Sequence, residues 1–357
     1  MRLTNLRRAL LATGLWAVVI GGAQAQYFPG TQNPVYQPQP PQPTALYADE
    51  EEKEEDDNDL AKRVEALEEA IEKQEAAVKK AKADAAKKPT QKWSGRVHTD
   101  YWAFPGSDAG TNFFERGDVT EDPQDRFQFR RLRFGVAGDI LETMEYKIEM
   151  EFATPNDPTM KDAYLGWKEL PIFQTLLLGN QKRPYGLDHL NSSRYNVFME
   201  RPFVIEAINQ DARRFGLCAY GVSDDLAYNW RYGAFLMEDM QGSGAYLVTD
   251  DPGNHNYQPE FAGRFANTIW YDECSDGRGY AHWAVAGTVA CPDGTAGSRN
   301  QGRFRTRPEA RSTNRWIDTG QIVGCNNYEM IGAEAVVNLG AFSWVTEYQH
   351  VFLQRDV

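Results

Sequence analysis

Long apolar runs are nearly absent from this chain of 357 residues. The longest run, residues 9–23, falls short of the roughly twenty consecutive apolar residues that a membrane-spanning helix needs. The mean hydropathy is −0.60, which indicates that polar residues are spread through the chain. If the protein enters a membrane, it must therefore do so with strands, in which only alternate residues have to be apolar.

Cysteine is scarce as well. Four cysteines are too few for a disulfide scaffold in a chain of this length. Cys291 and Cys325 flank one long connection, and an oxidising envelope would allow them to pair. We therefore predict a disulfide between these two residues. The alternative is that they are free thiols, together with Cys218 and Cys274.

Signatures of enzymes are missing from the sequence. The five histidines show no metal-ligand spacing, and the chain has no nucleophile elbow, phosphate-binding loop or paired-cysteine zinc pattern. Alternating carboxylates such as Glu149 and Glu151 suit glycoside hydrolysis in principle, but they also suit an ordinary water-facing strand. We expect neither an enzyme nor a cofactor. The net charge of −13 argues against a nucleic-acid partner.

The chain begins with features of an exported protein. Arg2, Arg7 and Arg8 precede the apolar run, and small residues follow it at 23–25, so residues 1–25 predict a cleaved signal peptide. Residues 26–59 are rich in proline and glutamine and then strongly acidic. This composition predicts a disordered linker, because it offers little to bury in a core.

Residues 60–88 carry apolar side chains at heptad spacing. The positions are Leu60, Val64, Leu67, Ile71, Val78, Ala81 and Ala85, with Gln74 interrupting the series. This pattern predicts a short α-helical coiled coil that ends before Pro89. A single solvated helix is one alternative, and an arm that reaches toward the cell wall is another.

From residue 92 to the end, apolar and polar residues alternate as in β-strands. The clearest run is residues 145–152, and similar runs predict about eleven strands at 93–104, 127–138, 145–152, 162–168, 173–183, 213–222, 225–237, 259–271, 278–290, 328–339 and 342–354. The connections between them are alternately short and long. This rhythm predicts an all-β fold, a transmembrane antiparallel β-barrel over residues 92–357. A soluble β-sandwich also has one apolar face per strand and remains the alternative.

Several stretches resemble the phosphate-selective porin O and P family. They are residues 129–138 (FRRLRFGVAG), 146–153, 162–166 (DAYLG), 178–203 with GNQKRPYGL at 179–187, 214–216, 332–334 and 347–348. The resemblance implies a sixteen-stranded, trimeric barrel in outer-membrane lipid, with its third loop folded inward. It further implies a pore lined by arginine and lysine that passes anions, above all phosphate.

Two features depart from the family pattern. The chain stops after about eleven strands, without a terminal aromatic residue, so we expect the barrel domain to be C-terminally incomplete, since open strand edges in lipid are unfavourable. The second departure is the water-facing row of the third strand, where Glu145, Glu149 and Glu151 outnumber Lys147. This row weakens the prediction of strict phosphate selectivity but not that of a channel.

Arginines and lysines that face the pore are the candidate anion-binding residues, because guanidinium donates paired hydrogen bonds to phosphate. Leu132 and Phe134 share the lipid face of their strand, which turns Arg131 and Arg133 inward and Arg130 outward or toward a subunit contact. The other candidates are Lys182, Arg194 and Arg201, in or beside the inward loop, and Arg231 on the water side of its strand. For each of them the alternative role is a salt bridge to a neighbouring carboxylate.

The long connection at 291–327 is also rich in arginine. Its members are Arg299, Arg303, Arg305, Arg307, Arg311 and Arg315. We expect them either to concentrate anions at the pore mouth or to bind anionic lipid head groups.

The sequence therefore predicts an outer-membrane porin for small anions such as phosphate or polyphosphate. The alternatives are a structural tether or adhesive protein with a coiled-coil arm, and a general non-selective porin.

Overall fold

The computed structural model describes residues 57–86, 88–209, 212–239, 250–251, 254–255, 257–297, 300–309, 311–312 and 314–356. The predicted signal peptide and most of the predicted linker, up to residue 56, lie outside the described residues. No helix in the described ranges is both long enough and apolar enough to cross a membrane.

The first element is a helix, α1 (Asp57–Ala86), and it begins three residues inside the predicted linker. The apolar heptad residues whose side chains are described are exposed, among them Leu67, at 63 %, and Ile71, at 55 %. The helix that the heptads predict is therefore present. The single chain gives no support for its pairing into a coiled coil, which stays a prediction.

The rest of the described chain is dominated by one antiparallel sheet of eleven strands in chain order. The strands are β1 (Lys92–Trp102), β2 (Arg126–Ile140), β3 (Met144–Glu151), β4 (Thr159–Leu170), β5 (Gln174–Lys182), β6 (Arg213–Val222), β7 (Tyr228–Leu236), β8 (Pro259–Tyr271), β9 (Gly279–Ala290), β10 (Cys325–Leu339) and β11 (Phe342–Arg355). The strand prediction is confirmed. β1 and β11 form the two edges of the sheet.

Short and long connections alternate along the sheet as predicted. Short connections join β2 to β3, β4 to β5, β6 to β7, β8 to β9 and β10 to β11. The last of these is a two-residue turn in which Gly340 has φ 61°. A hairpin turn with positive φ at its first central position favours glycine, because a Cβ atom strains that conformation.

The connections contain the remaining short elements. In the long connections these are α2 (Ala109–Arg116), α3 (Leu187–Leu190), α4 (Phe203–Ile208), and two-residue ribbons pairing Asp250–Asp251 with Asn254–His255 and Arg305–Thr306 with Ile317–Asp318. A 3₁₀ turn at Glu273–Ser275 lies in the short connection between β8 and β9. Asp108 caps α2 by accepting hydrogen bonds from the amides of Gly110 and Thr111. Glu115 of α2 accepts hydrogen bonds from Ser312, from the amide of Asn314 and from Trp316, so it ties the β1–β2 and β9–β10 connections together.

The two faces of the sheet differ in chemistry. On one face, large apolar and aromatic side chains are exposed, for example Trp93 stacked on Phe134 with ring centroids 5.3 Å apart. On the other face, β8 to β10 carry small or buried apolar residues that form a core with Tyr185 and Phe235. We call the exposed apolar face the outer face and the opposite one the inner face. An apolar outer band flanked by aromatic rings is what a strand wall in lipid requires.

The predicted disulfide is not formed. Cys291 and Cys325 are both free thiols. The pairing of β9 with β10 places Ala290 opposite Tyr328, so the residue next in line to Cys291 is Asn327. Cys325 lies further along the strand, beyond an irregularity in its pairing with β11. The register therefore does not set the two cysteines opposite each other.

Candidate pore site

The connection between β5 and β6 lies against the inner face and is the centre of the site. We call its described part, residues 183–209, the inner loop. Near its middle, Ser193 accepts a hydrogen bond from Arg96 of β1 at 2.7 Å. Earlier in the loop, the amides of Leu187 and Asp188 donate to the Glu347 carboxylate of β11 at 3.0 and 2.7 Å. The inner loop therefore contacts strands at both edges of the sheet.

A buried ion pair holds the base of the inner loop. Arg183 donates to Glu260 of β8 at 2.7 Å, and the side chains of both residues are almost fully buried. Arg183 also donates to the carbonyl of Asn209, and Asn209 donates to the carbonyl of Tyr185 at 3.1 Å. The first and last residues of the loop are thus tied to each other and to the wall.

A polar cavity of about 870 Å³ lies between the inner loop, the strands β1 to β7 and the connection before β10. We call it the basic cavity. Its basic lining residues are Arg96, Arg130, Arg131, Arg133, Lys147, Lys161, Lys182, Arg201, Arg213, Arg214, Arg231, Arg305, Arg307, Arg311 and Arg315. Its acidic lining residues are Glu149, Glu151, Asp162, Glu206 and Asp239. Fifteen basic side chains against five acidic ones make the cavity strongly positive, although the chain as a whole carries a charge of −13.

A β-bulge brings two consecutive arginines into this cavity. In the pairing of β1 with β2, His98 lies opposite Arg131 and Thr99 opposite Phe129, which leaves Arg130 as an extra residue. Such a bulge lets neighbouring side chains point to the same side of a sheet. The prediction that Arg130 faces outward is therefore wrong.

The two arginines at the bulge share one carboxylate of the inner loop. Arg131 donates to Glu200 at 3.2 Å, and Arg130 donates to it through two nitrogens, one of them at 2.8 Å. Burial opposes ionisation of Glu200, but the hydrogen bond and charge of Arg130 and the charge of Arg131 outweigh it, so the pKa of Glu200 lies below its usual value. Glu200 therefore fastens the loop to β2, rather than pairing with its neighbour Arg201.

The acidic row of β3 is largely neutralised by arginines. Arg133 donates to Glu151 at 2.6 Å and to Glu149 at 3.2 Å. Glu149 also lies 3.8 Å from both Arg96 and Arg213. These carboxylates position guanidinium groups around the cavity, and the basic residues still outnumber them.

Three of the predicted residues use neutral partners. Lys182 donates to the carbonyls of Leu190 and Asn191 at 3.0 and 2.7 Å. Arg231 donates to Gln181 at 3.0 Å and to the sulfur of Cys218 at 3.4 Å. Arg201 donates through Nε to the carbonyl of Asp188 at 2.6 Å. A carbonyl, amide or thiol orients a cation without pairing it with an opposite charge, so these three side chains remain open to an anion.

Arg194 is the predicted residue that the structure does not bring into the basic cavity. Its side chain is exposed and donates to the carbonyl of Gly95 in β1 at 2.9 Å. Arg131, Arg133, Lys182, Arg201 and Arg231 all line the cavity.

Sequence reasoning missed several of the lining residues. Arg96 lies between Gly95 and the exposed Val97, so alternation along β1 would have revealed it as inward. Arg213 could not be found in this way. It follows the same parity as the exposed Leu217, yet it lines the cavity and donates to Asp162 at 2.6 Å, while its neighbour Arg214 donates to the carbonyl of Met237. Both faces of the sheet are therefore interior where β5 ends and β6 begins.

The arginine-rich connection before β10 closes the other side of the cavity. Arg305, Arg307, Arg311 and Arg315 line it, whereas Arg303 pairs with Asp318 at 2.5 Å and Arg299 lies outside the described residues. Burial, with the like charges of its neighbouring arginines, lowers the pKa of Arg315 to about 10. The crowding of positive charge at this point favours a bound anion.

A strand wall with an apolar outer face, an ionic inner face and a loop folded against that inner face defines a channel-forming outer-membrane protein. The chain belongs to the phosphate-selective porin O and P family, whose family model matches residues 94–355. The protein is thus a porin of the outer membrane with the fold of a transmembrane antiparallel β-barrel.

Two solved structures are similar to this chain. OmpTdeltaL8, a loop L8 deletion mutant of the outer membrane protein OmpT of Vibrio cholerae, has 12% sequence identity and a TM-score of 0.44, covering 75% of this chain and 71% of its own. OprB of Pseudomonas putida, in its high-pH structure, has 10% identity and a TM-score of 0.37, covering 74% of this chain and 75% of its own. None of the curated proteins matches the chain.

Proposed function

We propose that this porin passes small anions, with phosphate preferred, through the basic cavity. The observation that carries the proposal is the excess of fifteen basic over five acidic side chains around one water-accessible space beside the inner loop. A permeating ion sheds part of its hydration at such a constriction, and fixed cations replace the lost water for anions only.

The arrangement of the cations suits phosphate in particular. Guanidinium presents a planar fork that donates two hydrogen bonds to one oxyanion, and carboxylate-held arginines such as Arg133 have a fixed orientation. Lys182, Arg201 and Arg231 add cations whose described hydrogen-bond partners are neutral. We assign direct contact with the ion to these four residues and to Arg131.

The test is ion selectivity in planar bilayers. The protein is reconstituted, and reversal potentials are measured under gradients of potassium chloride and then of potassium phosphate. We expect a clear anion preference and a chloride current that inorganic phosphate reduces by occupying the same path. Arg231→Met removes one cation without leaving a carboxylate unpaired. It should lower the ratio of anion to cation permeability about fivefold, since a unit charge at about 4 Å contributes about 1 kcal/mol even in bulk water.

Arg194→Met is the matched control, because it removes the same charge from a side chain that does not line the basic cavity. We expect its selectivity to equal that of the wild type. A cation preference, or an equal response of the two variants, would favour a general porin. A protein that inserts but conducts no ions would favour the structural tether.

A further inference from the structure

A second cavity, of about 710 Å³, lies on the other side of the inner loop. Its volume is that of a site for a small organic ligand. Apolar and aromatic side chains from the loop and from β8 to β11 dominate its lining, and we call it the apolar cavity. Six of them are Tyr195, Phe198, Tyr271, Tyr280, Val336 and Val345.

Three apolar side chains near the middle of the inner loop are not used for packing. Tyr195 is 70 % exposed, Val197 66 % and Phe198 53 %. All three line the apolar cavity on the inner face of the sheet. The inner surface of a water-filled barrel is ordinarily polar, so exposed aromatic rings at this position need a partner. A solute with an apolar part that passes through the channel would supply one.

Arg201 joins the two cavities, because its side chain lines both of them. Its Nε donates to the carbonyl of Asp188, and no described residue is hydrogen-bonded to its two terminal nitrogens, which remain for a ligand. A phosphate group on the basic side of Arg201 would leave the group esterified to it facing the apolar cavity.

The charges around the apolar cavity restrict what can enter it. Besides Arg201, the ionisable lining side chains are Asp188, Glu200, His282 and Glu347. Glu200 is held by Arg130 and Arg131, and Glu347 accepts two loop amides, so both are satisfied within the protein. Because Glu200 is neutralised by its two arginines, Asp188 and Glu347 remain against Arg201, so the cavity has no excess of positive charge and favours a neutral group over a free anion.

We propose that the apolar cavity is a subsite for the organic part of a phosphate monoester whose neutral part is an aromatic ring. The phosphate is held at Arg201 and the basic cavity, and the ring packs against Phe198 and Tyr195. This inference rests on the proposed anion channel and names a further class of solute for it.

The test compares two phosphate monoesters that carry the same charge. Chloride current is recorded at about pH 8, where the second ionisation of a phosphate ester is complete, and is titrated with inorganic phosphate, methyl phosphate and phenyl phosphate. In the wild-type protein, phenyl phosphate should half-block the current at a concentration about tenfold lower than methyl phosphate, because the ring removes apolar surface from water.

Phe198→Ala should remove most of this tenfold difference and leave the values for inorganic and methyl phosphate within about twofold. Met199→Ala is the matched control, since Met199 is the next residue of the same loop, is also exposed and does not line the apolar cavity. We expect it to behave as the wild type.

The wild-type comparison alone is decisive if a variant does not fold. Equal half-blocking concentrations for phenyl and methyl phosphate, with block by inorganic phosphate intact, would overturn the subsite and leave the proposed anion channel standing. A chloride current that none of the three phosphates reduces would count against both proposals. A shift of all three values by Phe198→Ala would show that the residue shapes the loop, and it would overturn the subsite.

Discussion

The two cavities on either side of the inner loop are built from the same kind of strand but differ in chemistry. On the side of β2 to β6, inward positions carry ions such as Arg133, Glu149 and Asp162. On the side of β8 and β9, small residues such as Ala262, which is buried in the core beneath the loop base, alternate with ions that are paired across strands, such as Arg264 with Glu334. The inner face is thus crowded with ions on one side, whereas on the other side it combines small apolar residues with buried ion pairs.

This difference shows that the inner loop is packed tightly against only one side of the sheet. Small side chains on β8 and β9 leave room for Tyr185 at the loop base to pack against the wall, and a buried Arg183–Glu260 pair completes this anchor. With the loop anchored on that side, the wall of β2 to β6 can carry ions that face open space. The predictions below test this division, from the largest expected effect to the smallest.

Breaking the anchor should remove the boundary between the cavities. Arg183→Met leaves Glu260 as a buried carboxylate without its cation, and we expect a loss of about 3–5 kcal/mol in the free energy of unfolding. Unfolding in urea, followed by tryptophan fluorescence in detergent micelles, measures the change.

A double variant, Arg183→Met with Glu260→Leu, is the control for that anchor. It removes the uncompensated charge and should recover most of the lost stability, because an apolar pair of similar volume replaces the ion pair. If the single and double variants were equally unstable, the ion pair would not be what holds the loop.

The attachment of the inner loop to β2 through Glu200 should weaken in acid. Because the pKa of Glu200 is lower in the folded protein than its ordinary value of 4.5, its contribution is present above about pH 4.5 and is lost as the pH falls below that value. Glu200→Gln should cost about 2 kcal/mol at neutral pH, since a hydrogen bond loses its charge, and this difference should shrink in acid.

Urea unfolding at several pH values measures the Glu200 effect. Glu121→Gln is the matched control, because Glu121 is an exposed carboxylate paired with Arg116 at the protein surface. Its effect should be small at every pH. A Glu200→Gln difference that did not change with pH would show that the ion pairs with β2 contribute little.

Removing a cation that lines neither cavity should have the smallest effect. Lys168, near the short-turn end of β4, pairs with Asp139 at 2.5 Å where both side chains are partly exposed. Lys168→Ala should change the free energy of unfolding by less than about 1 kcal/mol, and it should leave the reversal potential unchanged. A selectivity change as large as that of Arg231→Met would mean that overall charge, rather than the basic cavity, sets ion preference.

Much of the fold could be predicted, because strands with one face toward lipid and the other toward water alternate apolar and polar residues. Alternation of apolar and polar residues located all eleven strands, and the same parity turned Arg131, Arg133 and Arg231 inward. The inward position of Arg130 could not be predicted in this way, because a bulge shifts the parity within a single strand.

The sequence by itself determined the strands, the order of short and long connections, and the family. Each of these follows from local patterns or an ordered series of motifs. Only the tertiary structure decided that Glu200 would bind Arg130 and Arg131. It also decided that both faces of the sheet would be interior where β5 ends and β6 begins, and that an apolar cavity would lie on the other side of the inner loop from the basic one. These features depend on where the inner loop meets strands far away in the chain, and such long-range contacts leave no periodic signal in the sequence.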